Sequence, residues 1–511
     1  MDIITVPLKT SLTATEEQQL SQHIIEIHNL AKLKYTQEEL DSHVQYIKTR
    51  VIQPILDKFN EMHPALAVDD VLLNGSMSNR TKIETPRECD FVLPMALSKY
   101  VVISSRDCGI FAFDEPVQLE VKLSNDDPQT DLLNLTKKHP KLITSDNSLD
   151  PDYLTKYIIH EAVAECLSQL HTEGELIYRM QNRVNWTPTP VESSQLEENE
   201  VILYPSRLGP CIQLMVWGPL CVTDIDLAFC LKILNLPQLP DTLDSFYMGF
   251  PMGHRWKKSF YEKPQLRASR KDEHHRIVMI TLKYIMSQYN ETLNCKIDIH
   301  SHALYTLVRY HQEQCDSSAD EQSLGKCYCD IAQDLCKLLL RAVGNSKIVA
   351  INYQWLEDLL DKDCLDMHIY KSGCSLSNSF RTTIFLLGVY IILELLKSSC
   401  ISSPEFYCEF LALVFRECAL ECVRQYMLQI PNMLQLTSSH LTSMADMAGM
   451  AEIIEHDRVG FDSLVVDTEK ILSILKPNIA SLQSNRSGIC SQIIRLFKCC
   501  SLCCVKDSSR M

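Results

Sequence analysis

Two apolar runs in the first half of the chain, ECDFVLPM from Glu88 and CVTDIDLAF from Cys221, carry carboxylates at alternating positions. Side chains of a strand point to opposite faces in turn, so Glu88 and Asp90 share one face while Cys89 and Phe91 share the other. Asp224 and Asp226 share a face of the second run in the same way. An unpaired charge in apolar surroundings is costly. Any fold that buries these strands must therefore give their charged faces a polar or ionic partner.

The rest of the chain frames these runs. Its 511 residues are enough for two or three domains. Scarce glycine and recurrent helical spacing predict a helix-rich α+β protein. From Glu16 to Asn60 the pattern is helical, and Val44, Ile47, Val51, Ile55 and Phe59 form one apolar stripe. Thr36 with Glu39 fits a capping box. Short β-rich segments follow (VDDVLLNGS, ECDFVLPMAL, KYVVISS, PVQLEVKLS), then a helix from Asp150 to His171 and the strands CIQLMVWG and CVTDIDLAF. The expected divisions are an N-terminal helical spine (1–67), a mixed α/β core (68–250), a nearly all-helical lobe (251–430), and a helical extension with a Cys-rich tail (431–511).

A formal charge of −16 excludes a surface that is basic all over, though not a local basic groove. The opening MDIITVPLKTSL lacks a basic segment followed by an apolar run, so no secretory signal is expected. The longest apolar stretch, Ile384 to Leu396, is too short to span a bilayer and carries Glu394; a buried helix is expected there, and no transmembrane segment. The 22 cysteines then read as reduced thiols in a cytoplasmic protein. Cys327-x-Cys329, Cys364, His368 and Cys374 fit no standard zinc spacing and read as buried thiols. In the tail, Cys499, Cys500, Cys503 and Cys504 follow Ile493, Ile494, Leu496 and Phe497, with Lys498 and Lys506 nearby. That composition fits either an unstructured tail or an acylated membrane contact.

The residues that carry chemistry begin with Gly75-Ser76, just after a short apolar strand. Glycine lets the backbone approach a phosphate, and the adjacent amides and hydroxyl can hold an anion. A Gly-Ser pair alone is usually a turn, and an acid-x-acid pair is usually a solvated strand edge. Asp226 changes the balance. Glu88, Asp90 and Asp226 together suit two Mg²⁺ or Mn²⁺ ions, which take hard oxygen ligands and support phosphoryl transfer.

Gly75, Ser76, Lys82, Ile83, Pro86, Glu88 and Asp90, with Gly209-Pro210 before the strand of Asp226, resemble the cyclic GMP-AMP synthase-like receptors. These form part of the male-abnormal (Mab) branch of the nucleotidyltransferase superfamily. The resemblance runs from about Gln37 to the mid-300s. It implies a mixed-sheet nucleotidyltransferase core between a helical spine and a helical lobe, nucleoside triphosphate substrates of the ATP and GTP type, and a cyclic dinucleotide product in innate immune signalling. Trp256 to Phe260 is similar to a Trp-Arg-x-Ser-Phe motif with Lys257 in the Arg position. Lys283 is similar to a helix lysine on the triphosphate, and Ser301, His302 and Thr306 to residues lining the base.

The chain departs from that pattern in places. His302 stands where a base-stacking Tyr is usual, Tyr305 where Lys is frequent, and Asn79 in place of a frequent Glu; the usual acid after Ser-Phe is displaced, with Glu262 only nearby. The interval from Tyr261 to Lys283 contains no Cys, and His274 and His275 lack partners at ligand spacing, so no structural zinc is expected. Arg255, Lys257, Lys258, Lys263, Arg267, Arg270, Lys271 and Arg276 form a basic stretch. It reads equally as a solvated face with phosphate contacts or as a groove for double-stranded RNA. Two alternatives stay open: a catalytically inactive Mab-type scaffold or binding protein, and a nucleotidyltransferase that extends an RNA end.

Overall fold

The computed structural model describes residues 12–106, 118–123, 130–180, 196–205, 210–233, 245–252, 255–262, 270–294, 301–315, 323–344, 376–398, 404–429 and 468–484. The chain forms two compact units. One comprises Ala31–Ile280 with Ala350–Ser372, and the other Met1–Leu30, Thr281–Val349 and Gly373–Met511. Together they make a mixed α/β protein with one mixed sheet and many helices.

Helix α1 (Ala14–Ala31) belongs to the second unit up to Leu30. The sheet unit then opens with α2 (Gln37–Ile47) and α3 (Gln53–Met62), joined without a break by a π turn, Lys48–Ile52. The turn answers the spacing of the apolar stripe. Ile47, Val51, Ile55 and Phe59 step by four, whereas an α-helix turns every 3.6 residues, so the stripe would drift around a regular helix. The wider π turn takes up that surplus, and all four side chains are buried. At the start of α2, Thr36 Oγ1 accepts from the Glu39 amide, and the Glu39 carboxylate accepts from the Thr36 amide at 2.7 Å, closing the predicted capping box.

The sheet has ten strands, which with their intervening helices run β1 (Leu72–Asn74), α4 (Gly75–Ser78), β2 (Glu88–Met95), β3 (Val101–Arg106), β4 (Gln118–Leu123), α5 (Thr130–Lys138), α6 (Pro151–Tyr153), α7 (His160–Glu173), β5 (Ile177–Met180), β6 (Glu200–Leu203), β7 (Cys211–Val216), β8 (Thr223–Ile233), β9 (Ser245–Met252) and β10 (Arg255–Glu262). Spatial order is β3-β4-β10-β9-β8-β7-β6-β5. β2 lies parallel to β8, and β1 antiparallel to β2. Among the described residues, only β2 with β8 and β5 with β6 pair in parallel.

Strand alternation divides the core between the two faces of the sheet. Phe91, Leu93, Ile225, Leu227 and Phe229 pack in one cluster with Ile55 and Phe59 of α3 and with Val163 and Leu167 of α7. The residues between them, Val92 and Cys230, face the other way and join Phe246, Met248 and Tyr261 in a smaller cluster. Glu88 and Asp90 have the parity of Val92, and Asp224 and Asp226 that of Cys230. The four acids therefore emerge on the face away from α3, at the end of the smaller apolar cluster.

Residues 251–262 correct the reading of 251–430 as almost all helix. Here Trp256 and Tyr261 are buried in β10, which is hydrogen-bonded to β9 on one edge and to β4 on the other. Pairing on both edges settles the backbone where the local sequence pattern is ambiguous.

The helical unit takes in α8 (Arg270–Leu293) from Thr281 onward, then α9 (Ser301–Gln314), α10 (Leu324–Gly344), α11 (Leu376–Ser398), α12 (Pro404–Gln429) and α13 (Thr468–Ser484). The stretch Ile384–Leu396 lies in α11 and is buried apart from half-buried Glu394, which pairs with Lys397 at 2.7 Å. A side chain at Gly388 would collide with the ring of Phe415, so α11 and α12 approach closely there. Tyr289 meets Phe385 and Phe415 edge-on at 5.3 and 5.1 Å. Among the described residues, no helix is long and apolar enough to cross a membrane.

Replacing Thr36 with Ala removes the cap acceptor while leaving the buried stripe intact. The expected loss is about 1 kcal/mol, read from chemical denaturation followed by far-UV circular dichroism.

Candidate metal centre

Three pairings build the centre. β2 and β8 run parallel with Glu88 opposite Asp224 and Asp90 opposite Asp226, so acids at alternating positions on two strands become neighbours on one face. On the far side of β8, antiparallel β7 sets Gln213 opposite Asp226. On the far side of β2, β1 sets Asn74 opposite Asp90, and Gly75 follows directly. One carboxylate oxygen from each of Glu88, Asp90 and Asp226 lies within 4.8 Å of the others. The sequence-predicted trio is thus brought together.

The three differ in surroundings. Asp226 is only 8% exposed, Asp90 is half-buried, and Glu88 is open to solvent. Burial pushes the Asp226 carboxyl above its ordinary range. The Gln213 amide, donating to Asp226 Oδ1 at 3.0 Å, opposes that shift, while the charges of Glu88 and Asp224 add to it. Asp224 is raised for the same first reason, against a hydrogen bond at 3.1 Å from the Tyr204 hydroxyl. Cys211, on the same face of β7, is raised by burial and then by the nearby acids, which keeps it a neutral thiol. Cys89, on the opposite face of β2, is pushed up to about 12 by burial.

Lys82 supplies the nearest positive charge, in an ion pair with Glu88. The link that carries it, between α4 and β2, contains two non-glycine residues with left-handed backbone, Arg80 (φ 56°) and Glu84 (φ 63°). Such residues cost roughly 1–3 kcal/mol each and persist only where neighbours hold them. Here the Glu84 amide donates to the Ala31 carbonyl at 3.1 Å, and Ile83 forms a bridge with Lys32.

Gly75 is required at its position on two grounds. Its φ is +66°, and a Cβ there would fall inside the Asp90 carboxylate. The Gly-Ser segment therefore passes directly over Asp90, with Ser76 half-buried beside it.

Three clustered carboxylates, one of them paired with Lys82, offer hard oxygen donors of the kind that suit Mg²⁺ or Mn²⁺. Sequence reasoning had not singled out Gln213 or Tyr204, the two groups that hold Asp226 and Asp224. The available signal was a lone amide among apolar residues in CIQLMVWG. The other predicted residues are not part of these strand pairings. Lys283 (buried) and Ser301 (exposed) belong to the helical unit. Lys257 and His302 are placed by backbone in β10 and α9, and their side chains lie outside the described residues. So do the side chains of Arg255, Lys258, Lys263, Arg267, Arg270 and Lys271, whereas Arg276 pairs with Glu273. Cys364, His368, Cys374 and the tail cysteines also lie outside the described residues.

A carboxyl raised in the folded state binds more protons folded than unfolded, so its ionisation lowers stability as pH rises through its folded value. In metal-free protein at neutral pH, Asp226→Asn is therefore expected to melt above wild type, with the gap closing as pH falls toward the unfolded carboxylate value of about 3.9. Adding Mg²⁺ or Mn²⁺ should raise the melting temperature of wild type and leave Asp226→Asn unmoved. Gln213→Ala should weaken the ion-dependent shift by about 10–100-fold in ion concentration. Compared with models of protein families and with curated proteins, the chain matches none.

Proposed function

We propose that the chain is a nucleotidyltransferase that joins nucleoside triphosphates of the ATP and GTP type into a cyclic dinucleotide. The observation that supports this reading is the convergence of Glu88, Asp90 and Asp226 from two parallel strands beneath Gly75-Ser76. A scaffold has no physical need to concentrate three acids where burial already opposes the ionisation of one of them.

In this proposal Asp226, Asp90 and Glu88 hold two divalent ions. When bound there, such ions would supply the charge that lowers the pKa of an attacking hydroxyl and neutralises a leaving pyrophosphate. Gln213 fixes the orientation of Asp226. Gly75 leaves the backbone bare for a phosphate to approach, and the Ser76 hydroxyl donates to it. Lys82, paired with Glu88, would remain nearby as a cation for the triphosphate. Lys257, Lys283, Ser301 and His302 enter through the resemblance to the cyclic GMP-AMP synthase-like receptors alone. The same resemblance supplies the nucleotidyltransferase core, the cytoplasmic immune role, and double-stranded RNA as a trigger acting on the 255–276 basic stretch.

The test incubates purified protein with four labelled ribonucleoside triphosphates and Mg²⁺ or Mn²⁺. Double-stranded RNA, double-stranded DNA or neither is added, with Glu88→Ala/Asp90→Ala alongside. A phosphatase-resistant product that falls to background in the double variant is expected. Linear extension of the RNA would replace cyclisation by end addition. No product, with no nucleotide or metal binding, would leave the Mab-type scaffold.

A further inference from the structure

The helical unit holds a second cluster of metal-binding side chains, with different chemistry. His311 lies in the last turn of α9, and Cys315 follows one residue after its end, four positions on and on the same side. The Cys315 amide still donates to the Gln312 carbonyl at 3.3 Å, so the backbone keeps turning through it. Cys327 lies in the first turn of α10, which packs against α9. One donor atom from each of His311, Cys315 and Cys327 lies within 4.8 Å of the others. Cys315 Sγ and Cys327 Sγ are 3.6 Å apart, with Cys327 fully buried and Cys315 7% exposed.

That sulfur separation sets aside one chemistry and permits another. A disulfide holds its sulfurs at about 2.05 Å. Two thiolates on one tetrahedral zinc, with Zn–S of about 2.3 Å, stand about 3.8 Å apart. The observed distance excludes a disulfide; it is that of two free thiols in contact and leaves them close enough to share one ion. An imidazole and two thiolates are the donors that select zinc over Mg²⁺. The amides at the start of α10 also favour a negative charge on Cys327.

We infer that His311, Cys315 and Cys327 bind a structural Zn²⁺ that ties the C-terminal end of α9 to the N-terminal end of α10. Both thiols release their protons to solvent on binding, and the imidazole binds through a neutral nitrogen. The fourth position falls to water or another side chain. This departs from the expectation of no structural zinc, which rested on the Cys-free interval ending at Lys283. The three donors lie downstream of that interval. It also takes Cys327 away from Cys329, with which the sequence pairs it by spacing.

Elemental analysis of the purified full-length chain tests the inference, with Cys315→Ser/Cys327→Ser and Glu88→Ala/Asp90→Ala in parallel. About one zinc per chain is expected in wild type and in the carboxylate variant, falling to background in the cysteine variant. Because the cysteine variant can fail to fold, wild type is also stripped and reloaded with Co²⁺. A thiolate-to-cobalt charge-transfer band then reports sulfur ligation without any substitution. Zinc that follows the carboxylates instead, or a cobalt spectrum without that band, would overturn the site. A Cys315–Cys327 disulfide in protein prepared under reducing conditions would do the same.

Discussion

The candidate centre depends on the parallel pairing of β2 with β8. Each strand is apolar after its acidic start, so hydrophobic burial on both faces of the sheet holds the pair together. The register is then forced, because a slip of one residue would turn Phe91 and Leu93 toward the acids and drive Asp90 into the core packed on α3. The same apolar contacts that stabilise the sheet therefore position the carboxylates. No local interaction between the acids is needed to align them, and their mutual repulsion opposes the alignment.

That repulsion explains the company the acids keep. Gln213 and Tyr204 donate hydrogen bonds to the two deeper carboxylates, and Lys82 neutralises the exposed one. Each partner comes from a different part of the chain, so the charge is offset from three directions while Glu88 itself remains exposed. The strained backbone at Arg80 and Glu84 belongs to the same arrangement, since it keeps Lys82 over Glu88. The site thus carries its cost in the folded state, as sites built for a ligand commonly do.

Much of this was legible in the chain. Period-two spacing identified the shared faces of Glu88 with Asp90 and of Asp224 with Asp226, and Thr36 with Glu39 gave the helix start. What local pattern could not supply was pairing. Gln213 gains its meaning only from lying opposite Asp226, and β10 is a strand because β9 and β4 flank it. The π turn at Lys48–Ile52 was implicit in the steps of four from Ile47 to Phe59, which were read as an ordinary stripe. Cys315 and Cys327 stand 12 positions apart, so spacing rules drawn from known zinc modules pass over them.

Asp90 and Asp226 are separated by 136 positions in the chain. A pairing over that distance closes a long loop before it returns any contact energy, and such contacts tend to form late. The three-carboxylate cluster therefore has no counterpart in a partly folded chain. Whatever stabilisation ions contribute is absent from an early transition state, so it slows unfolding more than it speeds folding. Under the proposed function, divalent ions would act as a latch on a finished molecule, and the lifetime of the native state, more than the ease of reaching it, would follow the ion supply.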